Sequence, residues 1–448
     1  MFFLYKILNR GSERSVLVKK NIFLSFILQG VSIICSFLML PITLHYLKSE
    51  EYGVWLTISS IITWFNVCDI GIGMGLKNKL GEALALKDYE LGKKYVSVTY
   101  AIFSIIMIGF LAIFIPINYF LNWNSILNIT TLNNSELASI VLIVVVFFCL
   151  NFIVKIIGII LAANQRLSVG SLMGVISSIL SLIIIWIITI TVSPSLKIVA
   201  LVFSSVPFLV SFAGSIYLFN GRYNKIKPNI HSVDFTYARN LVGLSMKFFI
   251  LQVSSIIVFA TANMIITQTI GPKDVTIYNI CFKYFNIVTL AFNLLLGPMW
   301  PAYTNAYALG DFKWMSNGIK RTQLIWLLSS AGTIILLMIS PFVFKVWIGN
   351  EVTIPINLSI AMAVYVIISN WNNIYAQMLA GVGKVRLSII NSTFNALIFI
   401  PLCFVLSKTY GVMGVTIAMT LTILTSTFWQ PIQSLKIIKG TADGIWNK

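Results

Sequence analysis

The chain has 448 residues, of which 58% are hydrophobic and only 10% charged, and its formal net charge is +18. Charged side chains are too few to cover the surface of a water-soluble protein of this length, so the composition excludes an ordinary soluble domain. We therefore predict an integral membrane protein. We attribute its positive charge to membrane topology, and we do not expect nucleic acid as a partner.

The fold class predicted from the apolar segments is an all-α membrane protein with twelve transmembrane helices. Each segment approaches the length of about 20 residues that a helix needs to cross a bilayer. The first six spans are 21–44, 53–75, 95–121, 137–163, 168–193 and 197–220. The other six are 247–270, 275–299, 322–345, 355–379, 387–407 and 412–434. Because span 1 is longer than the apolar region of a signal peptide, we expect it to stay in the mature protein.

The distribution of positive charge predicts the orientation of these spans. If the N-terminus is cytoplasmic, 24 of the 31 lysine and arginine residues fall in segments on the cytoplasmic side. Two more, Lys155 and Lys283, fall inside spans. Positive residues concentrate on the cytoplasmic side of membrane proteins, so both termini are predicted to be cytoplasmic.

Three short sequence matches indicate an internal duplication. Residues 26–29 recur at 249–252 and residues 83–89 resemble 306–312, both at an offset of 223. Residues 166–168 recur at 386–388, at an offset of 220. An even number of spans per copy makes the copies parallel repeats, related by an axis along the membrane normal. We predict an N-terminal lobe at 1–220, a cytoplasmic linker at 221–246 and a C-terminal lobe at 247–448, with a substrate cleft between the lobes that opens alternately to each side.

Charged groups inside the predicted spans are the first candidates for a binding site, because burying a charge in a bilayer costs about 2.5 to 3.5 kcal/mol. Lys283 shares one helical face with Asn279, Asn286 and Asn293, and that face either packs on another helix or lines a wet cavity. We favour the cavity. The candidate cavity residues are Lys155, Lys283, Gln29, Gln252, Asn151, Asn263, Asn279, Asn286 and Asn373. For Gln29 and Gln252, which occupy equivalent places in the two copies, lining the cleft and locking two helices together remain equal alternatives.

Asp69 lies near the inner end of span 2, just before the basic segment that starts at Lys77. A structural ion pair is favoured over a role in ion coupling. Spans 1 and 7 contain no Asp or Glu, whereas an exporter of cations needs a carboxylate for its cargo or its coupling ion. Positive and carboxamide-rich faces instead suit an anionic, hydroxylated cargo.

Nothing in the sequence points to catalysis. The two histidines are His45, at the end of span 1, and His231, in the linker, and neither belongs to a recognised metal or nucleophile motif. We therefore predict no catalytic residue, no metal site and no cofactor, and we do not expect an enzyme.

Four short motifs resemble the multidrug/oligosaccharidyl-lipid/polysaccharide (MOP) exporter superfamily and, within it, the Wzx-type O-antigen flippases. The motifs are Leu47–Val54 after span 1, Asp69-Ile70-Gly71, Glu82–Ala85 with Lys87-Asp88, and Tyr410–Gly414 before span 12. The resemblance extends over the whole chain and implies a MATE-like fold.

The resemblance also implies a function. Such a flippase moves undecaprenyl-diphosphate carrying an oligosaccharide from the inner to the outer leaflet of the bacterial inner membrane, with a cationic lumen that receives the diphosphate. The implied partners are this lipid-linked glycan, membrane lipids, and a glycan polymerase and chain-length proteins. A multidrug exporter of the same fold and a membrane enzyme of glycan assembly are the alternatives, and the sugar and the coupling ion are left open.

Overall fold

A computed structural model describes residues 13–65, 72–164, 166–238, 258, 260–297, 299–349 and 351–447, which are almost entirely helical. Nine helices in these ranges are long and apolar enough to cross a membrane. This confirms the all-α membrane fold. The count of twelve spans and the cytoplasmic termini stay predictions.

In the described ranges, fourteen α-helices have defined bounds. In the first half they are α1 (Glu13–Trp64), α2 (Ile72–Ala85), α3 (Tyr89–Phe120), α4 (Trp123–Leu127), α5 (Asn134–Val154), α6 (Ile156–Ala163), α7 (Leu167–Thr191) and α8 (Leu196–Asn220). In the second half they are α9 (Pro272–Leu296), α10 (Met299–Ala308), α11 (Phe312–Ile348), α12 (Ile356–Val382), α13 (Arg386–Tyr410) and α14 (Val412–Ile438). Residues 260–269 are also helical.

The chain divides into two compact units. The first contains Met1–Lys48, Phe65–Ile126 and Thr130–Phe249, and the second contains Ser49–Trp64, Leu127–Ile129 and Ile250–Lys448. The units therefore follow the two sequence repeats except for two segments of the first repeat, 49–64 and 127–129, which pack within the second unit. The lobe boundaries drawn from the sequence stay a prediction.

A single residue divides α1 where the chain passes from the first unit to the second. Lys48 has φ 62° and ψ 172°, values outside the helical region, while the residues before and after it are helical. The equivalent residue in the second repeat, 223 positions on, is Gly271, with φ 147° and ψ 166°. Both copies thus interrupt the helix at the same place, and residues 45–52, which the predicted spans 21–44 and 53–75 place in a loop, are helical except at Lys48.

The second sequence match corresponds to the same local structure in both copies. Asp88 accepts a hydrogen bond from the Leu91 backbone N–H at 3.0 Å and caps α3. Asp311 accepts from the Trp314 N–H at 2.9 Å and caps α11. Side-chain capping satisfies a backbone donor that the first helical turn leaves unpaired. The duplication detected in the sequence is therefore also present in the backbone.

The segment after α8 folds back onto the end of the first unit. The Asn229 backbone N–H donates to Ser97 Oγ at 3.0 Å. The Tyr237 ring packs edge-on against the Tyr95 ring, with 5.5 Å between the ring centroids. Ile226 is 1% exposed. Hydrogen bonds from Thr236 lower the pKa of Asp234 in this segment. The described part of the linker, 221–238, is thus an ordered element of the first unit.

Candidate cargo-binding residues in each unit

Lys155 lies where one predicted span is interrupted. It separates α5 from α6, and its backbone N–H donates to the Asn151 carbonyl at 2.8 Å. The half-buried side chain places Nζ 3.7 Å from the centroid of the Phe152 ring, close enough for a cation–π interaction. Phe152 is itself 1% exposed and packs on Phe103 at 4.8 Å. An aromatic face therefore supports a positive charge in the middle of an apolar span.

The other two candidate residues in the first unit have different surroundings. Asn151 donates through Nδ2 to the Ser204 carbonyl at 3.2 Å, which joins α5 to α8. Gln29 is an exposed residue of α1. Asn151 thus has a packing role in this structure, whereas no packing contact of the Gln29 side chain accounts for its polarity among the described residues.

In the second unit, the first residue of the polar face of α9 is Asn279, and its side chain makes two hydrogen bonds. Asn279 Nδ2 donates to Asn263 Oδ1 at 2.9 Å and to the Val275 carbonyl at 2.8 Å. Asn263 Nδ2 in turn donates to Ser60 Oγ. These contacts tie α9, the helical residues 260–269 and the second part of α1 together. Sequence analysis missed Ser60, because a lone serine in an apolar span carries no signal beyond helix packing.

The rest of this α9 face is more open. Lys283 and Asn286 are half-buried, while Asn293 is exposed. Asn373, on α12, donates through Nδ2 to Asn293 Oδ1 over a long 3.4 Å. The structure therefore brings Asn373 next to the face that carries Lys283, a proximity that sequence spacing alone could not show.

Two predicted residues, Gln252 and Asp69, lie outside the described residues. The lysine-bearing helices contain few carboxylates. In α5 and α9 the only acidic residues are Glu136 and Asp274, both in the first helical turn. The carboxylates of these two helices therefore lie at the helix starts, away from Lys155 at the α5–α6 break and from Lys283 in the middle of α9, and each lysine has contacts with other residues.

Solved structures with the same architecture define the class of protein. An inward-facing multidrug resistance MATE family transporter of the MOP superfamily aligns with a TM-score of 0.76 over 93% of this chain and 100% of that chain, at 13% identity. An outward-facing MATE family transporter of the same superfamily aligns with a TM-score of 0.65 over 98% of each chain, at 14% identity. The protein is thus a multi-pass membrane protein with the MATE-type fold that its motifs predict.

The family follows from sequence comparison. A model for the family described as polysaccharide biosynthesis protein matches residues 18–304, and the chain belongs to that family. A Yersinia pseudotuberculosis protein named for O-antigen export is 24% identical over 414 residues, 89% of this chain and 91% of the relative. A Salmonella typhimurium protein named as an O-antigen transporter is 22% identical, over 86% of this chain and 88% of the relative. The family match and the MATE-type fold agree with the resemblance that the four motifs indicate.

Proposed function

We propose that this protein is a flippase that carries an undecaprenyl-diphosphate-linked oligosaccharide, an O-antigen or related repeat unit, from the inner to the outer leaflet of the bacterial inner membrane. The observation that carries the proposal is the placement of two half-buried lysines, Lys155 and Lys283, within apolar helices that lack mid-helix carboxylates. Membership of the polysaccharide biosynthesis family supports it. So do relatives named for O-antigen export along nearly the whole chain.

The chemistry of the cargo explains why fixed positive charge is needed. A glycan diphosphate is polar and multiply charged, so it cannot cross the hydrocarbon core unaided. The attached polyprenyl chain is apolar and is soluble in the bilayer. A water-accessible passage with ammonium groups lowers the electrostatic cost of moving the diphosphate, while carboxamides hydrogen-bond the sugar hydroxyls. Lys155 and Lys283 are assigned to the diphosphate. Asn286, Asn373 and Gln29 are assigned to the glycan.

Three further groups of residues complete the assignment. Asn151, Asn263 and Asn279 have packing partners in this structure, and their contact with cargo stays a prediction. Gln252 is assigned to the same cavity by its equivalence to Gln29 in the repeat. Asp69 is assigned to an ion pair or to coupling. Transport would proceed by alternating access, without an enzymatic step, with a glycan polymerase and chain-length proteins as partners on the far side of the membrane.

The test is a deletion strain analysed by mass spectrometry of its lipid-linked glycans. We expect the complete repeat unit to accumulate on undecaprenyl diphosphate in the deletion strain. Expression of the wild-type gene should remove this accumulation. With the double variant Lys155→Ala/Lys283→Ala, present at the wild-type protein level, the lipid-linked repeat unit should still accumulate. The matched control, Lys197→Ala/Lys345→Ala, removes two exposed lysines at helix ends and should behave as wild type. Normal export by the first double variant contradicts the assignment of the lysines.

A multidrug exporter is the second candidate, because the solved structures with this fold include multidrug transporters. In the described part of span 1, residues 21–44, there is no carboxylate to hold a cationic drug. A deletion strain that becomes drug-sensitive without accumulating lipid-linked glycan supports the exporter. Glycan that reaches the outside unpolymerised supports an enzyme of glycan assembly instead.

A further inference from the structure

The end of the first unit that carries the linker contains a cationic cavity of about 640 Å³ that the transport proposal does not use. Its polar lining consists of Asn164, Arg222, Tyr223, Asn224, Lys225 and Tyr89. The remaining lining residues are Leu84, Gly221 and Ile226, so the wall formed by the described residues contains two cations and no carboxylate. A cavity with this lining favours an anion.

The donors of this cavity are held in place by local contacts. Lys225 Nζ lies 4.7 Å from the centroid of the Tyr89 ring. Asn164 Nδ2 donates to the Tyr223 hydroxyl at 2.9 Å, so the hydroxyl accepts one bond and keeps its own hydrogen for a ligand. Tyr223 is only 4% exposed, which fixes its position. Arg222 is exposed, and its guanidinium group can donate two hydrogen bonds to one phosphate in bidentate geometry.

A neighbouring cavity shows what a less selective wall looks like. It measures about 550 Å³ and shares Tyr89, Asn224 and Lys225 with the first cavity, but its wall adds the carboxylates Asp88 and Glu90 as well as Lys87 and Lys93. Those two carboxylates offset most of the positive charge of its three lysines and weaken its attraction for an anion. The preference for a phosphate therefore belongs to the cavity around Arg222 and Lys225.

An apolar groove of about 580 Å³ lies next to the cationic cavity, along the end of α8. The groove is lined by Ala213, Ile216, Tyr217, Asn220 and Gly221, and Gly221 also lines the cationic cavity. Ile216 is 47% exposed and Tyr217 is 80% exposed. In a membrane protein, an exposed apolar face on a spanning helix contacts hydrocarbon, and tyrosines concentrate at the level of the lipid headgroups.

We infer that the cationic cavity and the apolar groove form one site for an anionic phospholipid of the surrounding bilayer. Its phosphate lies between Arg222 and Lys225, and its hydrocarbon chain lies along Ala213, Ile216 and Tyr217. The junction at Gly221 brings a polar pocket and an apolar groove together, the arrangement that an amphiphile requires. Basic pockets between membrane helices are known to select anionic headgroups. This phospholipid site is independent of the identity of the transported cargo.

The experiment uses the purified full-length protein and native mass spectrometry to measure the affinity of added lipid. We expect dioleoyl phosphatidylglycerol to bind more tightly than dioleoyl phosphatidylcholine. Arg222→Gln/Lys225→Gln should weaken phosphatidylglycerol binding about tenfold or more. The control Lys320→Gln/Arg321→Gln removes the same charge from exposed positions of α11 and should leave the affinity unchanged.

A second variant tests the chain-binding groove without touching the charges. Ala213→Trp fills the apolar groove, so it should weaken dioleoyl phosphatidylglycerol while leaving the short-chain dihexanoyl form unaffected. Equal loss of affinity in the α11 control overturns the site. Displacement of phosphatidylglycerol by inorganic phosphate alone, or by undecaprenyl diphosphate at a much lower concentration, also overturns the assignment to a bilayer phospholipid.

Discussion

Glu50 and Lys273 occupy equivalent positions in the two copies of the repeat and pair with each other, with Lys273 Nζ 3.8 Å from Glu50 Oε2. Both lie in the second unit, and each comes two residues after the break in its helix, at Lys48 and Gly271. The Thr276 hydroxyl donates to the Ser49 carbonyl at 2.7 Å in the same region. The two helix starts therefore pack against each other through residues that the duplication placed in register.

Reversing the charges of this pair tests its contribution. Because the Lys273 side chain is 66% exposed, we expect a coupling below about 1 kcal/mol. Glu50→Lys alone should lower thermal stability in detergent slightly, and adding Lys273→Glu should restore it. High salt should remove the difference between single and double variants. Strictly additive effects at low salt would show that the pair is not coupled.

Gly53 tests the close contact between the same two helix starts. A β-carbon at Gly53 would overlap the Pro272 carbonyl oxygen, whereas one at Gly30, on the same helix, meets nothing within 4 Å. We expect Gly53→Ala to cost about 1 to 3 kcal/mol or to abolish folded protein, since backbone cannot move aside easily. Gly30→Ala should be neutral or mildly stabilising. Fluorescence-detected size-exclusion with a temperature series measures both, and equal behaviour contradicts the packing described.

Lys87 and Gly310 test the repeated turn before α3 and α11. Their φ values are 60° and 69°, in the left-handed region that only glycine adopts without cost. Lys87→Gly should therefore stabilise the protein by up to about 1 kcal/mol, while Gly310→Lys should destabilise it by a similar amount. Lys87→Ala, which removes the charge but keeps the β-carbon, is the control. If Lys87→Ala stabilises as much as Lys87→Gly, charge rather than backbone conformation is responsible.

Asn263 and Asn286 separate packing from transport. Asn263→Leu removes the hydrogen bonds to Ser60 and Asn279, so we expect a loss of about 1 to 3 kcal/mol in stability, consistent with roughly 1 kcal/mol per bond inside membranes. Asn286→Leu should leave thermal stability unchanged and reduce export. The paired measurements are thermal unfolding in detergent and lipid-linked glycan in cells. A destabilised Asn286→Leu or a stable Asn263→Leu would reverse the assigned roles.

The sequence predicted the broad fold because hydropathy and charge respond directly to the bilayer. The predicted span 197–220 lies within one residue of α8 (Leu196–Asn220), and 387–407 matches α13 (Arg386–Tyr410) closely. The internal repeat was also detectable, since Asp88 and Asp311 cap equivalent helices. These features depend on local chemistry, which a sequence carries explicitly.

Features that depend on tertiary contacts were not predictable. Spacing showed that Asn279 and Lys283 share a helical face, but it could not show that Asn263 accepts a hydrogen bond from Asn279. The packing of residues 49–64 within the second unit was missed for the same reason. The short helices α2 and α10 were missed because they are too short and too polar to give a span signal.

Transbilayer movement in a defined system tests the central claim most directly. Purified protein is reconstituted in liposomes with fluorescently labelled undecaprenyl-diphosphate oligosaccharide, and a membrane-impermeant quencher reports how much label has changed leaflet. We predict rapid movement with the wild-type protein and little with Lys155→Ala/Lys283→Ala or with protein-free liposomes. Movement at the protein-free rate with folded, correctly inserted wild-type protein, under every imposed ion gradient, would contradict the account.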